Sequence, residues 1–233
     1  MTKKNFTLDG KSTNDFHVGV SGYQVYNSPA RDVQTYHIAG RNGDVICDNK
    51  CFNNRRIIYH CWIAHTFSKD FDDFRDFLMA HADRYYTLTD AYHPNHVYEA
   101  RVNGSIDPEA KVMMRCGEFD IEFDAKPQRY RRDGMEWKSA GTIVNPTRHE
   151  CFPLLEVSGA GTVTINEQTI KVNSGATFPV IIDCELLDCV DAEHIFQNRY
   201  VELPLDPVSL QTGSNTVSAS GCTVKIKPRW FDI

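Results

Sequence analysis

Near the middle of the chain, Phe119, Ile121, Phe123 and Ala125 alternate with Asp120, Glu122 and Asp124. A period of two buries one set of side chains and wets the other, so this segment reads as a strand with one solvated side. Strand signals of the same kind precede it at Asn5 to Gly10, Phe16 to Val20, Val33 to Ile38, Asp44 to Cys47, Arg55 to Ala64, Arg84 to Leu88 and Val97 to Val102. Within the first, Phe6 and Leu8 alternate with polar neighbours and Asp9-Gly10 supplies a turn. Gly40-Arg41-Asn42-Gly43-Asp44 separates two of these runs. Its two glycines and its Asn-Gly step provide the positive φ angles of a tight reversal.

One segment switches to the helical period. Phe71, Phe74, Phe77, Leu78 and Ala82 share a face, Ser68 offers an N-cap, and Asp70, Asp72 and Asp73 place negative charge near the helix start. The pattern predicts a helix over 69–82 lying flat on a sheet. The acids lack the glycine and distal glutamate of a calcium loop, so capping explains them.

A second series of strands opens at Pro153-Leu-Leu-Glu-Val and continues through Gly161 to Ile165, Gln168 to Val172, Val180 to Asp183, Cys189 to Asp191, Tyr200 to Leu203, Asn215 to Ala219 and Thr223 to Pro228. Asn166-Glu167 and Gln211 to Asn215 read as turns between them. Short strands at this spacing, punctuated by Gly, Asn and Ser, predict an antiparallel β-sandwich. From Arg129 to Asn145 the composition shifts to charge with Gly134 and Gly141. The reading is a mainly β protein of two domains: an N-terminal β domain with one packed helix at 1–132, and a C-terminal sandwich at 133–233.

Composition narrows the function classes. A chain of 233 residues is long enough for two cores, and 41% hydrophobic with 24% charged residues fits a soluble globular protein. No apolar run approaches ~18 residues and the opening Met-Thr-Lys-Lys-Asn-Phe lacks a signal peptide's apolar stretch, so cytosolic synthesis without membrane insertion is expected. A formal charge of −6, with basic residues clustered only at Arg129, Arg131 and Arg132, argues against a nucleic-acid surface. Cys47, Cys51 and Cys61 with His60, Cys184 with Cys189, and His93 with His96 invite a metal reading. None has the paired C-x-x-C spacing of a zinc knuckle, so the cysteines are expected mostly as small buried hydrophobes on strands, and the two histidines as solvated. No catalytic, cofactor or metal residue is assigned.

Ser158-Gly-Ala-Gly161 is not a nucleophile elbow, and no phosphate-binding or dinucleotide fingerprint occurs. Glu118, Asp120 and Glu122 would share one strand face, which is not two acids facing across a cleft. These observations point away from an enzyme. The alternative is a carbohydrate-binding sandwich, with Phe152, Phe178, Phe196, Tyr200, Trp230 or Phe231 as stacking platforms, against which stands the ordinary core role of aromatics.

In their order along the chain, these signals resemble the distal tail (Dit) proteins of long-tailed, non-contractile phages. The resemblance is carried by Phe6, Leu8 and Gly10; by Gly40, Arg41, Asn42, Gly43 and Asp44; by the helix from Phe71 to Ala82 followed by Tyr86, Leu88, Asp90 and Tyr98 to Val102. It continues through Phe119 to Phe123, Lys126, Pro127, Gln128, Arg129 and Tyr130, then Asn145, Pro146, Pro153, Gly159, Gly161, Ile165-Asn166 and Ile182-Asp183. The resemblance implies an N-terminal β domain that assembles as a homohexameric ring around a channel for DNA and the tape measure. It also implies an outer galectin-like or carbohydrate-binding-module-like sandwich. The implied partners are other copies of the chain, the tail tube protein, the tape-measure protein and the tail tip protein. The implied place is the virion tail, assembled in the bacterial cytoplasm, with no cofactor. For that family the chain is short, without room for an inserted sugar-binding module or long arm.

Overall fold

The computed structural model describes residues 4–64, 67–106, 109–111 and 116–233. They fall into two compact units, one running to Arg129 and including Ile233, the other Tyr130–Asp232. The fold is mainly β with a single α-helix and antiparallel sheets.

In chain order the first unit contains β1 (Phe6–Leu8), β2 (Lys11–Ser12), β3 (Gly19–Tyr26), β4 (Arg31–Tyr36), β5 (Val45–Phe52), β6 (Arg55–Ile63), α1 (Phe67–Met79), β7 (Tyr86–Asp90), β8 (His96–Asn103), β9 (Glu109–Lys111) and β10 (Cys116–Ala125). Its sheet runs β2-β1-β7-β8-β10-β6-β3, with β9 added on β10. β6 and β10 pair over nine residues, from Gly117 opposite Ile63 to Ala125 opposite Arg55. Their alternation brings Ile57, Tyr59, Cys61, Ile63, Phe119, Ile121 and Phe123 to one buried face. Across that face lies α1, whose Phe71 meets Phe119 at 5.1 Å and whose Phe74 meets Phe6 at 6.4 Å between ring centroids. Aromatic side chains of this size supply much of the buried apolar area that holds a helix to a sheet.

The helix differs from its predicted limits. It begins at Phe67, so Ser68 lies inside the first turn, Asp70 is the first-turn acid, and Asp72 pairs with Arg75 at 3.1 Å. It ends at Met79 because the His81 amide tightens onto the Leu78 carbonyl (2.9 Å) while the His81 carbonyl accepts from Val102 N–H (3.1 Å), diverting the chain toward β8. Ala82 nonetheless packs against the core.

The predicted strand at Phe16 to Val20 also changes. Thr13–Phe16 forms a 3-10 turn closed by a capping box, with Asn14 N–H donating to Ser12 Oγ (3.2 Å) and Ser12 N–H to Asp15 (3.0 Å). Phe16 thereby packs on Phe74 and Phe77. The strand starts only at Gly19, opposite Trp62 on β6. A Cβ at Gly19 would stand 2.4 Å from the Trp62 ring, so the indole lies directly over the glycine.

After β11 (Arg129–Arg131), which starts at the last residue of the first stretch, the second unit continues with β12 (Lys138–Ser139), β13 (Gly141–Asn145), β14 (Leu154–Ser158), β15 (Gly161–Ile165), β16 (Gln168–Val172), β17 (Val180–Asp183), β18 (Asp188–Val190), β19 (Val201–Glu202), β20 (Gly213–Ser220), β21 (Thr223–Lys227) and β22 (Phe231–Asp232). Two five-stranded sheets, β12-β21-β14-β17-β18 and β13-β20-β15-β16-β19, contribute to one core. Leu155, Val157, Val180, Ile182, Val224 and Ile226 come from the first; Ile143, Val163, Ile165, Ile170, Val172 and Val217 come from the second. Residues 129–145, where the composition shifts to charge and glycine, carry β11, β12 and β13. Tyr130 is buried against Phe231, and Gly134 lies so close under Trp230 that a Cβ would come within 2.5 Å of its ring.

Candidate assembly surfaces

β4 and β5 pair only with each other among the described residues, forming a hairpin apart from the main sheet of the first unit. Gly40 (φ +80°) and Gly43 (φ +77°) make its reversal, as the Asn-Gly step predicts. Arg41 N–H donates to the Ile38 carbonyl (3.1 Å), and His37 meets Asp44 at 3.1 Å. At the base, Arg31 grips Asp48 with Nε (2.9 Å) and Nη2 (2.7 Å) and stacks over Phe52. Asp32 accepts from Asn49 (3.0 Å) and from the Cys51 thiol (3.5 Å).

The polar groups of the hairpin are thus largely matched within it, and its apolar groups are not. Ile46 is 67% and Tyr36 51% exposed, with Val33 and Ile38 exposed beside them. A lone two-stranded hairpin is marginally stable in water, and apolar side chains gathered on one mark a contact surface.

Patterning does not reveal the polar centre of the first unit. Asp90, at the end of β7, is fully buried and accepts four hydrogen bonds: from Tyr26 Oη (2.8 Å), Tyr59 Oη (2.7 Å), Tyr92 N–H (2.7 Å) and His93 N–H (2.7 Å). Burial, with Asp90 adding to it, pushes both phenols far above their ordinary value, so they remain neutral donors. His93, expected in solvent, packs edge-on against Tyr26 at 4.4 Å. It is held there because its amide belongs to the Asp90 turn.

The cysteines divide by unit and by surface. Cys61, Cys151, Cys184 and Cys189 are buried, Cys116 and Cys222 are half-buried, and Cys47 and Cys51 are exposed on the hairpin, against the expectation of buried strand residues for that pair. Burial pushes the Cys184 thiol up to about 12 and that of Cys189 to about 11. No cluster of three or more His, Cys, Asp or Glu suited to a metal occurs among the described residues.

The residues that carried the family resemblance do not converge on one site. Lys126 pairs with Glu99 at 2.5 Å, while Pro127 and Arg129 are half-buried next to it in sequence. Asn145, buried at the end of β13, organises the turn through Pro146: it accepts from Thr147 N–H (2.9 Å) and donates to the His149 carbonyl (2.9 Å). Pro153 is buried at the start of β14, and its carbonyl accepts from Cys184 N–H (3.2 Å). Gly159 turns the chain with φ +96°, and a Cβ at Gly161 would stand 2.3 Å from the Ser220 carbonyl oxygen. Each shapes the local backbone.

Of the candidate sugar platforms, Trp230 is fully buried, and Phe152, Tyr200 and Phe231 pack against the core. Only Phe178 and Phe196 present their rings to solvent. No described helix is long and apolar enough to cross a membrane.

Two antiparallel β units, one carrying a hairpin with exposed apolar side chains, define a mainly β protein with a single helix. Residues 5–125 match the profile of the phage tail protein RIFT-related domain, and the chain belongs to that family. No curated protein matches it at the level of sequence. Among solved structures, it is similar to the Dit protein of phage SPP1, described as a paradigm of the hub adsorption apparatus in phages infecting Gram-positive bacteria. The TM-score is 0.60 at 12% identity, over 96% of this chain and 97% of that one. It is also similar to a chain of the phage p2 baseplate in its activated conformation with strontium (TM-score 0.57, 9% identity, 96% and 97% covered). The corresponding calcium structure gives 0.55 at 9% identity, with 97% and 98% covered.

Proposed function

We propose that the chain is a distal tail protein, the structural hub at the end of a long non-contractile phage tail. The observation that carries this reading is the fold likeness to SPP1 Dit along nearly the whole chain, through both units, together with the family membership of the first unit. Six copies of the first unit form a ring around a channel for DNA and the tape measure. The ring joins the tail tube protein to the tail tip protein, and the second unit serves as a β scaffold for the adsorption apparatus. The role is structural rather than catalytic, and its place is the virion tail.

The hairpin gives the ring a physical basis. A heterologous contact repeated by rotation closes into a ring without leaving a free interface. If one face of the β4–β5 hairpin of each copy lies on its neighbour, Val33 and Ile46, which share a face, leave water, each burial being worth up to ~1.5–3 kcal/mol. The Gly40-Arg41-Asn42-Gly43-Asp44 reversal then sets where the tip of the hairpin lands on the next copy.

Electron microscopy and mass measurement of the purified full chain, alone and mixed with the tail tube protein, test this. Sixfold rings are expected, and Ile46→Asp should leave a folded monomer. A wild-type chain that stays monomeric at high concentration in both conditions overturns the reading.

A further inference from the structure

The second unit carries a loop built to hold apolar side chains in water. After β18 the chain turns at Asp191, whose carboxylate accepts from Glu193 N–H (3.0 Å), Ile195 N–H (2.9 Å) and Gln197 Nε2 (2.9 Å). His194 takes φ +62°, and its amide donates to the Asp191 carbonyl (3.0 Å). The result is a fixed loop with Ile195 56% and Phe196 68% exposed; Leu186, on the turn between β17 and β18, is 68% exposed.

Three features define what such a loop can bind. First, it closes the sheet edge: Gln197 N–H donates to the Cys189 carbonyl (2.7 Å), and Cys189 N–H donates to Asn198 Oδ1 (3.0 Å). Both main-chain groups of Cys189 are taken, so an added strand finds no partner there. Second, the nearby amides are spent inside the protein. Gln197 Oε1 accepts from Thr177 N–H (3.3 Å), and Asn198 Nδ2 donates to the Leu187 carbonyl (3.1 Å). A glycan needs polar groups aimed at its hydroxyls beside the aromatic ring, whereas the ring here is flanked by Ile195. Third, the carboxylates of Asp188 and Glu193 form no ion pair among the described residues, while the Arg229 guanidinium is held by Asp183, the cross-strand neighbour of Asp188, at 2.7 and 2.9 Å, and that of Arg199 is stacked over Tyr200 at 4.5 Å.

We infer that Ile195 and Phe196 are the anchor of a docking site for another protein, one that offers an apolar socket with a basic rim. The inference rests on the reading of the chain as a tail hub, which supplies the setting in which a second protein is held. Pre-organisation by Asp191 removes the ordering cost that a flexible loop would bear on binding. An aromatic anchor within an apolar patch is the common form of an energetic centre in protein interfaces, and the two carboxylates select a positively charged surround.

Photocross-linking in assembled tails tests the site. The full chain carrying Phe196→p-benzoylphenylalanine is incorporated into tails, irradiated and analysed by mass spectrometry, with the same photoprobe at exposed Leu205 as the reference. The expected result is one dominant cross-link to a different tail protein, at an apolar surface bordered by Lys or Arg. Combining Asp188→Lys with Glu193→Lys should lower its yield about tenfold. A cross-link to another copy of this chain, no cross-link above the Leu205 reference, or saturable binding to cell-wall polysaccharide that is lost in Phe196→Ala would each overturn it. Immunodetection separates the two readings: a chain present in tails without the cross-link sinks the docking site alone, while a chain absent from tails sinks the hub as well.

Discussion

Replacing Asp90 by alanine should weaken the first unit more than most single changes, because one carboxylate satisfies four buried or half-buried donors. Hydrogen bonds to a charged group contribute about 1.5–3 kcal/mol each, and an orphaned buried donor costs about 1–3 kcal/mol. The full sum is not lost, because burying a carboxylate itself costs several kcal/mol and the substitution relieves that cost. The Tyr92 and His93 amides and the half-buried Tyr26 hydroxyl regain water in part, whereas the fully buried Tyr59 hydroxyl cannot. The net expectation is a loss of ~3–5 kcal/mol, comparable to breaking a buried charged pair.

Hydrogen exchange followed by mass spectrometry is the suitable assay, since peptides from β6, β7 and β8 report the opening free energy of this unit and peptides from β14 to β17 report the other separately. Tyr59→Phe makes the test specific. Alone it should cost ~1 kcal/mol, but combined with Asp90→Ala it removes the hydroxyl that would be orphaned, so the double variant should be at least ~1 kcal/mol better than the sum. Strict additivity, or an Asp90→Ala loss below ~1 kcal/mol, would refute the claim that this carboxylate organises the core.

Three further outcomes follow from the second unit and the hairpin. Gly161→Ala should destabilise by ~2–3 kcal/mol, because its Cβ would meet backbone atoms, Ser220 O at 2.3 Å and Cys222 N at 2.8 Å, rather than a movable side chain; an unchanged denaturation midpoint would contradict this. Burial pushes the Asp183 carboxyl up, but two hydrogen bonds (2.7 and 2.9 Å) and the charge of Arg229 outweigh it and hold it below its ordinary 3.8. Its folded value being depressed, this pair contributes fully above pH 3.8 and is lost as pH falls through the lower folded value. Arg229→Met should therefore flatten the acid limb of stability measured by denaturant titration. In thiol labelling of the unassembled chain, Cys47 should react fastest, Cys51 more slowly because its thiol is raised by desolvation and by its hydrogen bond to Asp32, and buried Cys61, Cys184 and Cys189 only on unfolding. Equal rates for Cys47 and Cys61 would disprove the assignment of surfaces.

Local chemistry was readable directly from the residues. The alternation in Phe119 to Ala125, the apolar stripe from Phe71 to Leu78 and the Asn-Gly reversal at Gly43 concern neighbours in sequence, and periods of 2 and 3.6 convert them into a mainly β chain with one packed helix. Nothing local says which strands pair. The run from Val33 to Cys47 has the same strand signals as β6, yet it stands as a separate hairpin with its apolar groups in water, because exposure depends on what covers a strand and not on its own composition. Asp90 looks like any turn acid until folding brings Tyr59 and Tyr26, 31 and 64 residues away in sequence, onto its oxygens. Trp230 reads equally as a surface platform or a core residue, and only the closeness of Gly134 decides for the core. Sequence thus determined the elements, whose energetics are set within a few residues. Tertiary structure decided strand order, the buried polar centre and the surfaces left for partners, since these depend on packing between segments whose separation along the chain carries no periodic signal.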